Sequence, residues 1–169
     1  MSLDSYSQND ELDLILERVV DVPRELVWRV WTEPEHLKPW FCPKPWTTPE
    51  AVMDVRPGGI FKTVLRSPEG EDFPYTGCYL DVVPKSRLVW TSALLPEYRP
   101  AAAQAEGVPV FTTVLTLSDV PGGTRYLAHV MHRDEAGRMT HEKMGFHEGW
   151  GTMVTQMAEY VKESLLNRK

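Results

Sequence analysis

Met144-Gly145-Phe146-His147-Glu148-Gly149-Trp150-Gly151 is the stretch whose reading decides the fold, because it opens the last helix of the chain with glycines. In a helix interior each glycine costs about 1 kcal/mol relative to alanine, so close backbone approach or a ligand should repay them. His147 and Glu148 also bring titratable groups into an apolar neighbourhood. Two readings follow: close helix-to-sheet packing, or one wall of a binding cavity. From about Thr140 onward Phe146, Trp150, Val154, Met157, Val161 and Leu165 recur every three or four residues. That period predicts one long helix with a broad buried face, and Lys162, Arg168 and Lys169 suit its C-terminal end.

The residues before this helix alternate with the period of strands. Thr124 to Arg133 places Tyr126, Ala128, Val130 and His132 on one face and Arg125, His129 and Arg133 on the other, the second set expected in solvent. The preceding strand, Val110 to Leu117, turns Phe111, Thr113, Leu115 and Leu117 inward by the same rule. Two further strand pairs are expected, Ala51 to Arg56 with Ile60 to Arg66, and Tyr75 to Val83 with Arg87 to Leu94. The turns Pro57-Gly58-Gly59 and Pro84-Lys85-Ser86 join them. In the second pair both faces are partly apolar, and bulk alone selects Tyr79 and Trp90 as inward.

Leu12 to Val22 reads as the first strand, ended by Pro23. Pro23 to Thr32 carries a helical stripe of Leu26, Val27, Val30 and Trp31, and a second short helix beginning near Glu33-Pro34 carries His36, Leu37 and Trp40. Pro43, Pro45 and Pro49 then argue for an irregular loop around Trp46. Leu95 to Val108 is expected to be a loop with a short helix, or a lid. The fold class is therefore α+β: a curved antiparallel sheet of about seven strands wrapped around a long C-terminal helix, with two short helices after the first strand. Residues 1–11 are polar and aperiodic, so a flexible leader is expected before a single domain over 12–169.

Composition bounds the function. A chain of 169 residues with 42% hydrophobic residues and 25% charge is enough for one core. A net charge of −6 argues against a general nucleic-acid binder. No apolar run approaches the ~20 residues of a membrane span, and no signal peptide is present, so a cytoplasmic location is the expectation. Cys42 and Cys78 share no CxxC or metal spacing.

The sequence completes no catalytic or metal-binding motif. His141-Glu142 begins a zincin-like pattern, but Gly145 stands where the second ligand would be. His129 and His132 differ in strand parity and point to opposite faces. No serine occupies a nucleophile elbow, and each Pro-Gly-Gly lies at a hairpin rather than before a helix, which leaves nucleotide chemistry unsupported. No cofactor, metal or catalytic residue is assigned. An isolated histidine on a helix is more often packed or capped than catalytic, and Glu148 suits the positive end of a helix dipole. Trp28, Trp31 and Trp150 read as core, whereas Trp40, Phe41 and Trp46 suit a cavity mouth or a homodimer interface equally.

The element order, Arg-Pro-Gly-Gly at Arg56 to Gly59, Gly-Gly-Thr-Arg at Gly122 to Arg125 and the segment His141 to Gly151 together resemble the bacterial Aha1-like proteins, named for an activator of the Hsp90 ATPase. That family belongs to the START-like, or Bet v1-like, helix-grip (SRPBCC) superfamily, and the resemblance covers about Leu12 to Leu165. It implies a grip fold with a cavity between sheet and helix, and superfamily members bind lipids, polyketides and other apolar molecules. The expected ligand contacts are Phe111, Leu115, Tyr126, Val130, His132 and Trp90 from the sheet. Met144, His147 and Met157 oppose them from the helix, with His147 and Tyr126 orienting a polar group. Two alternatives stand beside ligand binding: an interaction module with a chaperone partner, and a cavity cyclase or hydrolase using His147.

Overall fold

The computed structural model describes residues 7–104 and 107–166. Residues 1–6 of the expected leader, 105–106 of the expected lid segment, and Arg168 and Lys169 lie outside the described residues.

The chain runs β1 (Asp13–Val20), α1 (Arg24–Thr32), α2 (Pro34–Leu37), β2 (Thr47–Met53), β3 (Ile60–Arg66), β4 (Asp72–Val83) and β5 (Arg87–Thr91). A two-residue ladder follows, β6 (Leu94–Leu95) and β7 (Arg99–Pro100), around a 3-10 turn at Pro96–Tyr98. Then come β8 (Phe111–Val120), β9 (Gly123–His132), α3 (Glu135–Lys143) and α4 (Phe146–Val161), with a π turn over Lys162–Leu166. Seven strands form one antiparallel sheet in the order β1-β9-β8-β5-β4-β3-β2. β1 closes onto β9 with Leu14 opposite Val130 and Leu16 opposite Ala128. This is the α+β helix-grip architecture, with the sheet wrapped around α4.

The core lies between the concave face of the sheet and α4. Leu14, Leu16, Leu88, Leu115, Tyr126, Ala128 and Val130 meet Met153, Val154, Met157 and Val161, all buried. α1 adds Val27, Val30 and Trp31 to the same core, as its helical stripe requires. Gln156 of α4 fixes the proline-rich loop after α2. Its Nε2 donates to the carbonyls of Trp40 (3.1 Å) and Cys42 (2.7 Å), and its Oε1 accepts from Lys44 N at 3.0 Å.

Four sequence expectations are corrected. The last helix is two helices: α3 ends at Lys143, and Gly145, at φ 91° and ψ 36°, turns the chain left-handed before α4 starts at Phe146. Glycine is favoured there because a side chain at positive φ strains the backbone. Pro49 does not stop a strand: it lies inside β2, which forms the edge of the sheet, where a missing N–H need not break a ladder. Trp40 falls beyond α2, which ends at Leu37, yet is buried, its indole N–H donating to His36 O at 2.7 Å. His129 does lie on the outer face, but it is not in solvent: it is buried at 6% exposure and its Nε2 stands 2.8 Å from Asp13 Oδ2. Strand alternation assigns a face and leaves open what covers it.

Candidate functional site

A cavity of about 300 Å³ opens between the β3-β4-β5-β8 half of the sheet, the loop after α2, and the start of α4. Phe61, Thr63 and Leu65 of β3, Tyr75 of β4, Trp90 of β5 and Phe111 of β8 form its sheet wall. Trp31, Phe41, Cys42 and Pro43 close one side; His141, Met144, Phe146, Gly149, Trp150 and Met153 close the other. None of these residues carries a formal charge at neutral pH apart from what His141 can gain. Gly149 is what makes room: a Cβ built on it meets only Pro43 Cγ, at 3.9 Å.

The aromatic rings brace one another. Trp31 sits at the hub, with ring centroids 5.1 Å from Trp40, 5.7 Å from Phe41, 5.4 Å from Trp90 and 6.4 Å from Trp150. Such offset and edge-on pairs add about 0.5–1.5 kcal/mol each beyond the area they bury. Two polar atoms in these walls are buried without a hydrogen-bond partner among the described residues, Trp31 Nε1 and the Tyr75 hydroxyl. Burial raises the Tyr75 phenol well above its ordinary range, so it stays protonated.

Of the nine residues expected to contact a ligand, Phe111, Trp90 and Met144 line this cavity. Met144, at 68% exposure, stands at its rim. Leu115, Tyr126, Val130 and Met157 are fully enclosed in the packed half of the core and leave no space between sheet and helix there. The Tyr126 hydroxyl is already occupied, accepting from Trp150 Nε1 at 2.8 Å. His147 is exposed and reaches Ile15 O at 3.2 Å on the β1 side, because the left-handed turn at Gly145 sends Phe146 rather than His147 inward. Glu148 is exposed as well. The cavity is thus displaced toward β3 and β4 from where alternation in β8 and β9 had put it.

His132 is not on the wall but stands directly behind it. Its Nδ1 lies 2.9 Å from the carbonyl of Leu12 and its Nε2 lies 2.8 Å from Nδ1 of His141. The His141 ring packs against Phe111 at 4.9 Å and Phe146 at 5.3 Å. Burial, with His132 beside it, pushes His141 down to about 4 from 6.5, and burial lowers His132 too. Because the folded state holds His141 neutral, it binds fewer protons than the unfolded chain between pH 6.5 and about 4. Unfolding free energy should therefore be full above that window and fall as pH drops through it. In chemical denaturation at stepped pH, His141→Phe is expected to flatten this fall, and an unchanged slope would count against a neutral buried ring.

Cys42 lines the cavity as a thiol. Thr48 Oγ1 donates its hydrogen to Phe41 O at 3.1 Å, so at the 3.3 Å contact Cys42 Sγ must be the donor. Burial raises its pKa, away from thiolate reactivity. Among the described residues, no three His, Cys, Asp or Glu side chains gather where they could hold a metal ion, and no helix is long and apolar enough to cross a membrane.

Most of the site escaped sequence reasoning, since Phe41, Phe61, Tyr75 and His141 lie far apart along the chain. One signal was available: Gly145, two residues after Lys143 in the last turn of a helix, is the mark of a left-handed cap. Read that way it ends one helix and turns the next inward.

The model for the Activator of Hsp90 ATPase homolog 1-like protein family matches residues 21–162. No curated protein matches the chain. Among solved structures, protein NE0264 from Nitrosomonas europaea is 52% identical, with 92% of this chain and 97% of that one covered and a TM-score of 0.86. An AHSA1-like protein from Aeromonas hydrophila shares the fold at 19% identity, covering 94% and 97% of the two chains with a TM-score of 0.68. A protein from Rhodobacter sphaeroides does so at 19% identity, 94% and 97% coverage and a TM-score of 0.78.

Proposed function

We propose that this chain, which belongs to the Activator of Hsp90 ATPase homolog 1-like family, binds an apolar or amphipathic small molecule in the aromatic cavity beside α4. The observation that carries this reading is the cavity itself: about 300 Å³ left open in a core that is elsewhere close-packed. Ligand sites run about 300–1,000 Å³ and are mostly apolar with a few polar anchors. Here the polar anchor is His141, set in walls of rings. A void of this kind forfeits dispersion contacts that an apolar guest would restore.

A neutral fluorescent probe such as N-phenyl-naphthylamine tests the reading. Trp31, Trp90 and Trp150 all line the cavity, so binding should be saturable, brighten the probe and quench tryptophan emission together. Probe emission rising linearly without saturation, with tryptophan emission unchanged, would sink it. Native mass spectrometry of protein from its own host would then show which molecule travels with it.

A further inference from the structure

The histidine pair behind the cavity wall restricts what the cavity accepts, an inference that rests on the binding role proposed above. A carbonyl oxygen only accepts hydrogen bonds, so His132 Nδ1, 2.9 Å from Leu12 O, must carry a hydrogen. In a neutral imidazole the other nitrogen is then an acceptor. His132 Nε2 faces His141 Nδ1 at 2.8 Å, so Nδ1 is the donor of that bond. His141 Nε2 is therefore bare, and no hydrogen bond reaches it from the described residues. A backbone carbonyl of the segment before β1 thereby sets the tautomer of a ring that lines the cavity two bonds away.

We propose that the natural occupant is a neutral aromatic molecule bearing a hydroxyl group, whose O–H donates to His141 Nε2. His132 is a positioning residue: it touches no ligand and acts by holding His141 in the accepting tautomer. The walls agree with that chemistry. Flat rings at Phe111, Tyr75 and Phe61 suit an aromatic guest. No lysine or arginine lines the cavity, so a carboxylate would be desolvated without a cation and would meet a lone pair.

Calorimetric titration of the full chain near neutral pH with β-naphthol, its methyl ether and β-naphthoate separates the terms. The three probes share one ring system, but only naphthol can donate to a bare nitrogen without bringing a charge. Naphthol should bind about tenfold more tightly than the ether, the factor expected of one buried hydrogen bond, and naphthoate should be the weakest. In His141→Phe, which keeps a ring against Phe111 and Phe146, naphthol and ether should bind within about twofold of each other. His132→Leu should narrow the same ratio while leaving the ether's affinity in place, a selectivity change that loss of packing alone would not produce. Equal affinity of naphthol and ether for the unaltered protein, or naphthoate binding best, overturns the inference and leaves the cavity role standing. Failure of all three to bind overturns the cavity role itself.

Discussion

Replacing Trp31 by alanine is expected to remove about 3–5 kcal/mol of unfolding free energy, the range for deleting a large buried aromatic. For a domain of this size that is roughly 6–20 °C in melting temperature, at about 2–4 °C per kcal/mol. The side chain is fully buried, and its ring is the hub on which Trp40, Phe41, Trp90 and Trp150 converge. The upper part of the range is favoured because the hole cannot collapse. Trp40 is tied to His36 O and Trp150 to the Tyr126 hydroxyl, each through its indole N–H. The new void also opens into the existing cavity, which leaves still fewer atoms to close it. Trp28, three residues earlier on α1 and only partly buried at the edge of the core, is the control. Trp28→Ala should cost well under half as much. Urea denaturation of both variants decides it: a Trp31→Ala loss below about 1.5 kcal/mol would mean that the rings repack around the gap.

The outline of the fold could be read from period and punctuation because the strands that matter alternate. Leu14 and Leu16 of β1, Phe111, Leu115 and Leu117 of β8 and Tyr126, Ala128 and Val130 of β9 share one face, with Ile15, Val114 and Leu127 the apolar exceptions on the other. α3 was invisible to the same test because it has no apolar face of fully buried residues. What marks it is local chemistry: Asp134 accepts from Gly137 N at 2.7 Å as an N-cap, and Arg138 pairs with Glu142 one turn on. The site was harder for a related reason. A cavity is a shortage of side chain at one place, and periodicity reports where side chains go. Packing between β9 and α4 is complete at Tyr126, Val130 and Met157, so residues singled out for facing inward are core. Space appears where Gly149 faces β3 and β4, strands that lie far before it in the sequence. His141 drew attention as half of a failed zinc motif, while its actual setting depends on the left-handed turn four residues later and on a carbonyl at Leu12.

Gly149→Leu is expected to weaken ligand binding roughly thirtyfold while leaving the protein folded and at least as stable as before. Gly149 lies inside α4 with ordinary helical geometry, so a larger residue recovers about 1 kcal/mol of helix propensity. Its Cβ would point into open space, with only Pro43 Cγ near, at 3.9 Å. The leucine side chain would then occupy part of the 300 Å³ that a guest needs. Overpacking a fitted space costs about 1–3 kcal/mol, and at about 2 kcal/mol affinity for a neutral aromatic probe falls roughly thirtyfold. Gly145 supplies the contrast within the same run of sequence. A Cβ there meets nothing within 4 Å, yet φ is 91°, so Gly145→Ala should destabilise by about 1 kcal/mol or more through backbone strain alone. The two glycines therefore serve different ends: Gly145 sets the direction of α4 and Gly149 keeps the cavity open. Thermal denaturation and probe titration on both variants test that division. Binding retained in Gly149→Leu would place the guest elsewhere, and a Gly145→Ala protein as stable as the parent would remove the reason for a left-handed turn at that position.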